Sequence, residues 1–298
     1  MSCIPIHPLE AAPRPSPTVL PSTVAASAPD PVALVGPGRG TWRTLAGIGI
    51  IGGVLSGLFA IGGGILMVPL LVSRAHLDQR QATATSLVAI IPTAMVSSAA
   101  YLAHGEIDLV AGALLTLGAI VGARVGSHLL QRISLSWLRW LFIAFILAVA
   151  ARLLLLAPGR SEVVAMSAVT ALGHVGLGLI MGIASGLFGI GGGIIAVPLL
   201  VSMFAVSDLA AKGTALLVSI PTSAVGSAAN RRSGLVDVRA GLVVGAAAAL
   251  ASLPAVYLAL AIPAELSRRL FVALLLAVAI RLTVKARRAE RNEQAGRR

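Results

Sequence analysis

Cysteine is almost missing from this sequence: Cys3 is the only one in 298 residues. A lone cysteine excludes an internal disulfide and any cysteine-based metal site. Acidic residues are scarce, eleven against 23 Lys and Arg, and all lie in tails, in loops or at the ends of apolar segments. Ionisable groups inside a membrane span normally mark ion paths and relays, so their absence from mid-span argues against a carboxylate proton relay. The five histidines form no pair or cluster with metal-ligand spacing. His104, His128 and His174 fall near segment ends, where solvation accounts for them. No nucleophile with a base and an orienting acid can be assembled. The chain therefore reads as a non-enzyme without cofactor or metal. Its glycine-rich stretches are not nucleotide loops either, since no Lys-Ser/Thr pair follows them and no strand leads into a G-x-G-x-x-G.

What the chain has in abundance is apolar sequence. Hydrophobic residues make up 57%, charged residues 11%, and the mean hydropathy is +0.94. A soluble domain carries about 25% charged residues. The expected class is an all-α polytopic membrane protein in a lipid bilayer, because the apolar stretches reach the ~20 residues a helix needs to span hydrocarbon. The short alternating segments of a barrel are not visible. The net charge of +12 sits mostly in loops and in the tail KARRAERNEQAGRR. That follows the positive-inside rule rather than nucleic-acid binding, and it predicts a cytoplasmic C-terminus close to anionic lipid. Residues 1–44 are rich in Pro, Ala and Ser and lack a helical period, so they are expected to be disordered. No basic start leads into an apolar core, so they do not read as a signal peptide.

The body is written twice. GGVLSGLFAIGGGILMVPLLVS from residue 52 matches MGIASGLFGIGGGIIAVPLLVS from residue 181 at sixteen of twenty-two positions. The offset of 129 residues holds onward. Pro92-Thr93 matches Pro221-Thr222, HGEIDL matches SGLVDV through Gly105/Gly234 and Asp108/Asp237, and AVAARL matches AVAIRL through Arg152/Arg281. The expected organisation is a first repeat at 45–157, a linker at 158–172, a second repeat at 173–286 and a basic tail at 287–298. Each half has four apolar segments, about 45–73, 83–103, 109–130 and 137–156, then 173–202, 212–230, 238–260 and 268–286. Trp42, Trp137, Trp140, Tyr101 and Tyr257 fall near segment ends, which suits the headgroup region. Two tandem repeats with a site between them are a common transporter plan. Four crossings per half would make the halves parallel. An odd number, with the first segment dipping in and returning, would invert them. The loop at 104–108 is acidic and its counterpart at 231–239 is basic, and this difference in sign favours inversion.

Each first segment is broken by a glycine triplet, Gly62-Gly63-Gly64 or Gly191-Gly192-Gly193, followed by Pro69 or Pro198. Gly costs ~1 kcal/mol and Pro ~3 kcal/mol in a helix interior. Within a membrane, non-helical backbone is tolerated where it is buried in protein or lines a wet cavity. A break there also exposes a half-helix N-terminus whose bare N–H groups suit an anion. Gly52, Gly53, Gly57, Gly182 and Gly186 read instead as sites of close helix packing. The second segments carry hydroxyls around a central proline: Thr85, Ser86, Thr93 and Ser97 about Pro92, and Thr214, Ser219, Thr222 and Ser223 about Pro221. Hydroxyls can donate to an oxyanion, or they can bond a carbonyl of their own helix. Lys212 and Arg124 are the candidate anion-guiding cations. Arg124 has no counterpart, since Leu253 stands there in the second half, and it can snorkel to the nearer interface.

GLFGIGGGIIAVPLL, AAKGTALLVSIPT and SGLVDV, with GLFAIGGGILMVPLL, QATATSL and GEIDL in the first half, resemble the sulfite exporter TauE/SafE family over about residues 45–286. The resemblance implies a polytopic exporter of small sulfur-containing anions, such as sulfite or an organosulfonate, with the cytoplasmic membrane as its place. The sequence departs at Ala215, where the pattern often has Ser, as at Ser86, so the two halves need not contact substrate equally. The expected function is outward transport of a small oxyanion by alternating access, the anion held between the halves at the breaks. A carboxylate or thiosulfate transporter and a non-transporting scaffold are the alternatives. The expected partners are the anion and the bilayer, with a homodimer left open.

Overall fold

The computed structural model describes residues 39–155 and 167–295. The expected tail at 1–44 lies outside them up to residue 38, as do Cys3, 156–166 at the junction of the halves, and 296–298. Ten α-helices make up the described chain. In the first half they are α1 (Arg39–Phe59), α2 (Gly64–Arg74), α3 (Gln79–Ala103), α4 (Leu109–Arg132) and α5 (Leu135–Leu155). In the second they are α6 (Ala168–Phe188), α7 (Gly193–Met203), α8 (Asp208–Arg231), α9 (Val238–Ala261) and α10 (Ala264–Ala295). The glycine triplets split each first segment in two, so four apolar segments become five helices per half. Helix α1 begins ahead of Leu45, α6 takes in part of the expected linker, and α10 runs through most of the basic tail. Seven of the described helices, α1, α3, α4, α5, α6, α8 and α9, are long and apolar enough to cross a membrane.

Helix directions follow from which residues meet. Gly49, Gly53 and Gly57 of α1 pack on Val244, Ala248 and Ser252 of α9, so these two run the same way. Gly118, Gly122 and Gly126 of α4 do the same with Val175, Leu179 and Ile183 of α6. Bare glycine faces let the backbones touch, which is how such helices associate without a hydrophobic force between them. Gly53, Gly57, Gly182 and Gly186 pack as expected; Gly52 instead makes room for Met67 of the neighbouring short helix.

Helix α3 also runs along α9, since Thr85 meets Asp237 and Pro92 meets Gly245. Helices α3 and α8 are equivalent in the repeat, yet they run in opposite directions: Tyr101 lies at Gly213 and Leu87 at Gly226. The halves are therefore inverted, and the crossing falls close to Pro92 and Pro221. Because α1 and α3 share one direction, α2 must run back between them. The pairs α1/α2 and α6/α7 are thus re-entrant hairpins that enter from opposite faces. With these hairpins turning back, α3, α4 and α5 are the helices that run end to end in the first half, and α8, α9 and α10 in the second.

Tyr101 departs from its expected headgroup role. It is fully buried, and its hydroxyl donates to Gly57 O at 3.0 Å, tying α3 to α1.

Candidate functional site

The two hairpin tips meet. A Cβ on Gly64 would run into Gly189 O and lie 2.6 Å from Ile190 Cα; one on Gly193 would run into Ala60 O. Gly62 faces Ile190 O and Gly191 Cα. Gly63 and Gly192, the residues before α2 and α7, have φ of 75° and 82°, a left-handed backbone in which glycine carries no steric cost. A Cβ there would also meet Gly52 O or Met181. The chain can therefore double back at these points only with glycine.

Helices α4, α6, α8 and α9 begin on a side-chain cap, respectively Asp108, Ser167, Ser207 and Asp237. Helices α2 and α7 have none. Among the described residues, the N–H groups of Gly62 to Ile65 and of Gly191 to Ile194 meet no acceptor. The first turn of any helix leaves such donors, but these are buried, where an unmet donor costs ~1–3 kcal/mol. The tips also gather fixed partial positive charge, since the N-terminus of a helix is the positive end of its dipole.

Two further groups stand beside them. Ser56 and Ser185 are repeat equivalents, fully buried, and their hydroxyls have no partner. Ser56 lies one turn beyond Gly52 on the same side of α1, the side on which Gly63 and Met67 pack; Ser185 stands in the same relation to Met181 and Gly192. Sequence reading passed over both, although SGLF is written identically in each half.

The hydroxyls singled out in sequence divide into four groups. Thr85 and Thr214 lie across the interface of the halves: Thr85 Oγ1 accepts the Asp237 N–H at 3.1 Å and Thr214 Oγ1 accepts the Asp108 N–H at 2.9 Å. Ser86 and Ser219 hold the second tip, Ser86 by donating to Gly189 O at 2.8 Å and Ser219 by donating to Gly191 O. Ala215 cannot repeat the bond of Ser86, so no equivalent hydroxyl reaches Ala60. Thr93 and Thr222 bond Ala89 O and Val218 O of their own helices, the alternative weighed in sequence. Ser97 and Ser223 are buried and unpartnered.

Phenylalanines flank the tips. Phe59 stacks on Phe271 with ring centroids 5.3 Å apart. The equivalent Phe188 packs on Phe142, and also on Phe145, at 5.2 Å each. Outside the tips lie two cavities. One of about 290 Å³ reaches Phe59 and Pro198 and is walled by Arg152, Ser202 and Lys212. One of about 160 Å³ reaches Pro69 and is walled by Ser73 and Arg281. Pro69, Ser73 and Arg281 are the repeat equivalents of Pro198, Ser202 and Arg152. The cavities are thus repeat equivalents, one toward each face. Lys212 is brought to this site. Arg124 is not; it lies on the exposed side of α4.

The family model described as sulfite exporter TauE/SafE matches residues 18–153 and 174–298. The chain is 26% identical over 214 residues to the probable membrane transporter protein YunE of Bacillus subtilis (strain 168), covering 64% of this chain and 78% of that relative. A probable membrane transporter protein of Xylella fastidiosa (strain 9a5c) is 32% identical over 89 residues, 30% of this chain and 34% of the relative. No solved structure matches the chain.

Proposed function

The chain belongs to the sulfite exporter TauE/SafE family of membrane transporters, and on that premise we propose that it exports a small sulfur-containing oxyanion, sulfite or an organosulfonate, by alternating access. The observation that carries this reading is the pair of bare helix N-termini, α2 and α7, buried tip to tip between inverted halves. Their N–H groups and the hydroxyls of Ser56 and Ser185 are donors without acceptors, which is what an oxyanion supplies. Inverted repeats with broken helices at the centre are a recurring transporter plan, in which one half rocks against the other. The Phe59–Phe271 and Phe188–Phe142 pairs stand on the two sides of the tips and serve as the alternating barriers.

Charge orients the protein. Arg74, Arg80, Arg132, Arg231, Arg232, Arg239 and the end of α10 share one face, and Glu106, Asp108, Asp208 and Glu265 share the other. By the positive-inside rule the first face is cytoplasmic, together with the C-terminus, in the cytoplasmic membrane. An anion leaving a negative interior gains ~2.3 kcal/mol per charge at 100 mV, so export needs no proton partner. That agrees with the lack of mid-span acids. The protein carries out transport rather than catalysis.

The test is flux from liposomes loaded with sulfite, thiosulfate, a sulfonate or a carboxylate, with an inside-negative potential imposed. The reading expects sulfite or the sulfonate to leave fastest and to carry charge outward. Preferred carboxylate flux would replace the substrate class, and no flux of any anion would remove the transport reading.

A further inference from the structure

The larger cavity contains chemistry that the smaller one lacks. Lys212 is 2% exposed, pairs with the Asp208 carboxylate and donates to Ser267 Oγ at 2.8 Å. In the first half Thr83, Gln79 and Leu138 stand where the second has Lys212, Asp208 and Ser267, and none of the three is charged. The other acid of the wall, Glu265, is clamped by Arg268 and Arg269. These cations, Arg268 first, hold its carboxyl below the usual carboxylate range, so it stays ionised and matched at neutral pH. Both acids therefore already have their cations. Arg152 has no carboxylate among the described residues. One of its terminal nitrogens donates to Ser202 Oγ at 2.8 Å, while its Nε is buried without an acceptor. The wall thus carries one unmatched positive charge and one unmet buried donor, and Lys212 lines the same cavity.

We propose that this cavity is a second anion site, distinct from the tips, which holds a small oxyanion between Arg152 and Lys212 on the face opposite the basic loops. A half-buried guanidinium and a buried ammonium suit sulfate-like and sulfonate headgroups. A volume of about 290 Å³ admits one such anion with water. The inference rests on the transport reading in one respect: it makes the site the station through which the exported anion leaves. The smaller cavity keeps the equivalent arginine, Arg281, but not the lysine, so the two faces hold the anion unequally.

The test uses the full chain in nanodiscs, with Cys3→Ser and one new cysteine. Ala264→Cys lines the cavity mouth, and Ala103→Cys lies on the same face outside the cavity. The readout is the rate of modification by a sulfonate-bearing methanethiosulfonate, with sulfate or methanesulfonate as competitor. Competition slows modification by 1 + [L]/Kd, about fourfold at three times Kd. The proposal expects this at Ala264→Cys and not at Ala103→Cys. Lys212→Gln or Arg152→Gln should remove it and Lys212→Arg should keep it, in variants that elute as folded protein. No protection in the otherwise unaltered chain, or protection that survives both glutamine substitutions together, overturns it. Protection without anion flux would overturn the transport reading and leave this site standing. Flux without protection would do the reverse.

Discussion

Replacing Gly64 with alanine separates the tip-to-tip account from ordinary helix energetics. Gly64 is the first residue of α2 and does not have a positive φ. By propensity alone, alanine is favoured over glycine in a helix by up to ~1 kcal/mol. Any loss must therefore come from what the new Cβ meets. It would run into Gly189 O and lie 2.6 Å from Ile190 Cα, backbone atoms of the opposite half that no rotamer can move aside. Parting the tips is an overpacking change of ~1–3 kcal/mol. At 2 kcal/mol, about thirtyfold fewer molecules hold the closed contact. Anion flux from liposomes should fall by a similar factor, with the protein still monodisperse in detergent. Gly47→Ala and Gly176→Ala are the matched controls, because a Cβ at either repeat-equivalent position meets nothing within 4 Å; both should transport normally. Full flux through folded Gly64→Ala would refute the claim that the closed tips are part of the cycle.

Other outcomes follow from the same geometry. Ala60 has φ of 55° where its equivalent is Gly189, so Ala60→Gly should raise thermal stability by ~1 kcal/mol, read as a higher melting temperature in detergent. Thr85→Val should leave the Asp237 N–H unpaired, and Thr214→Val the Asp108 N–H, each lowering stability by ~1–3 kcal/mol; a melting temperature unchanged by either would show that these bonds contribute nothing. In a Cys3→Ser background, Glu106→Cys and Arg232→Cys should react with an impermeant thiol reagent from opposite sides, Glu106→Cys from outside. Labelling of both from one side would contradict the inverted halves.

The repeat, the breaks and the segment ends could be read in the sequence because each leaves a local mark. A glycine triplet inside an apolar run has few other uses, and the register of 129 residues is a property of the string. Inversion was legible only through the opposite signs of the loops at 104–108 and 231–239, and it took the antiparallel α3 and α8 to establish it. The roles of the hydroxyls were less accessible. Thr85 and Thr214 have partners 152 and 106 positions away, and no spacing rule reaches that far. Tyr101 sits near a segment end in sequence, but its ring is buried because the helix bearing it packs against α1. Ser56, Ser185, Phe59 and Phe188 left a signal, the SGLF shared by both halves, which was hidden inside the longer match around the glycines. The cavity cations illustrate the opposite case: Arg152 and Arg281 match across the repeat, yet only the fold places each beside a void.

The central claim is that an oxyanion is bound by the two bare helix starts. Selenite, a sulfite analogue with a selenium absorption edge, tests it through anomalous difference density in crystals of the protein grown with the anion. The account predicts a peak within hydrogen-bonding reach of the N–H groups of Gly62 to Ile65 and Gly191 to Ile194. Transport of selenite by the same protein, with density only elsewhere and none at the tips, would contradict it.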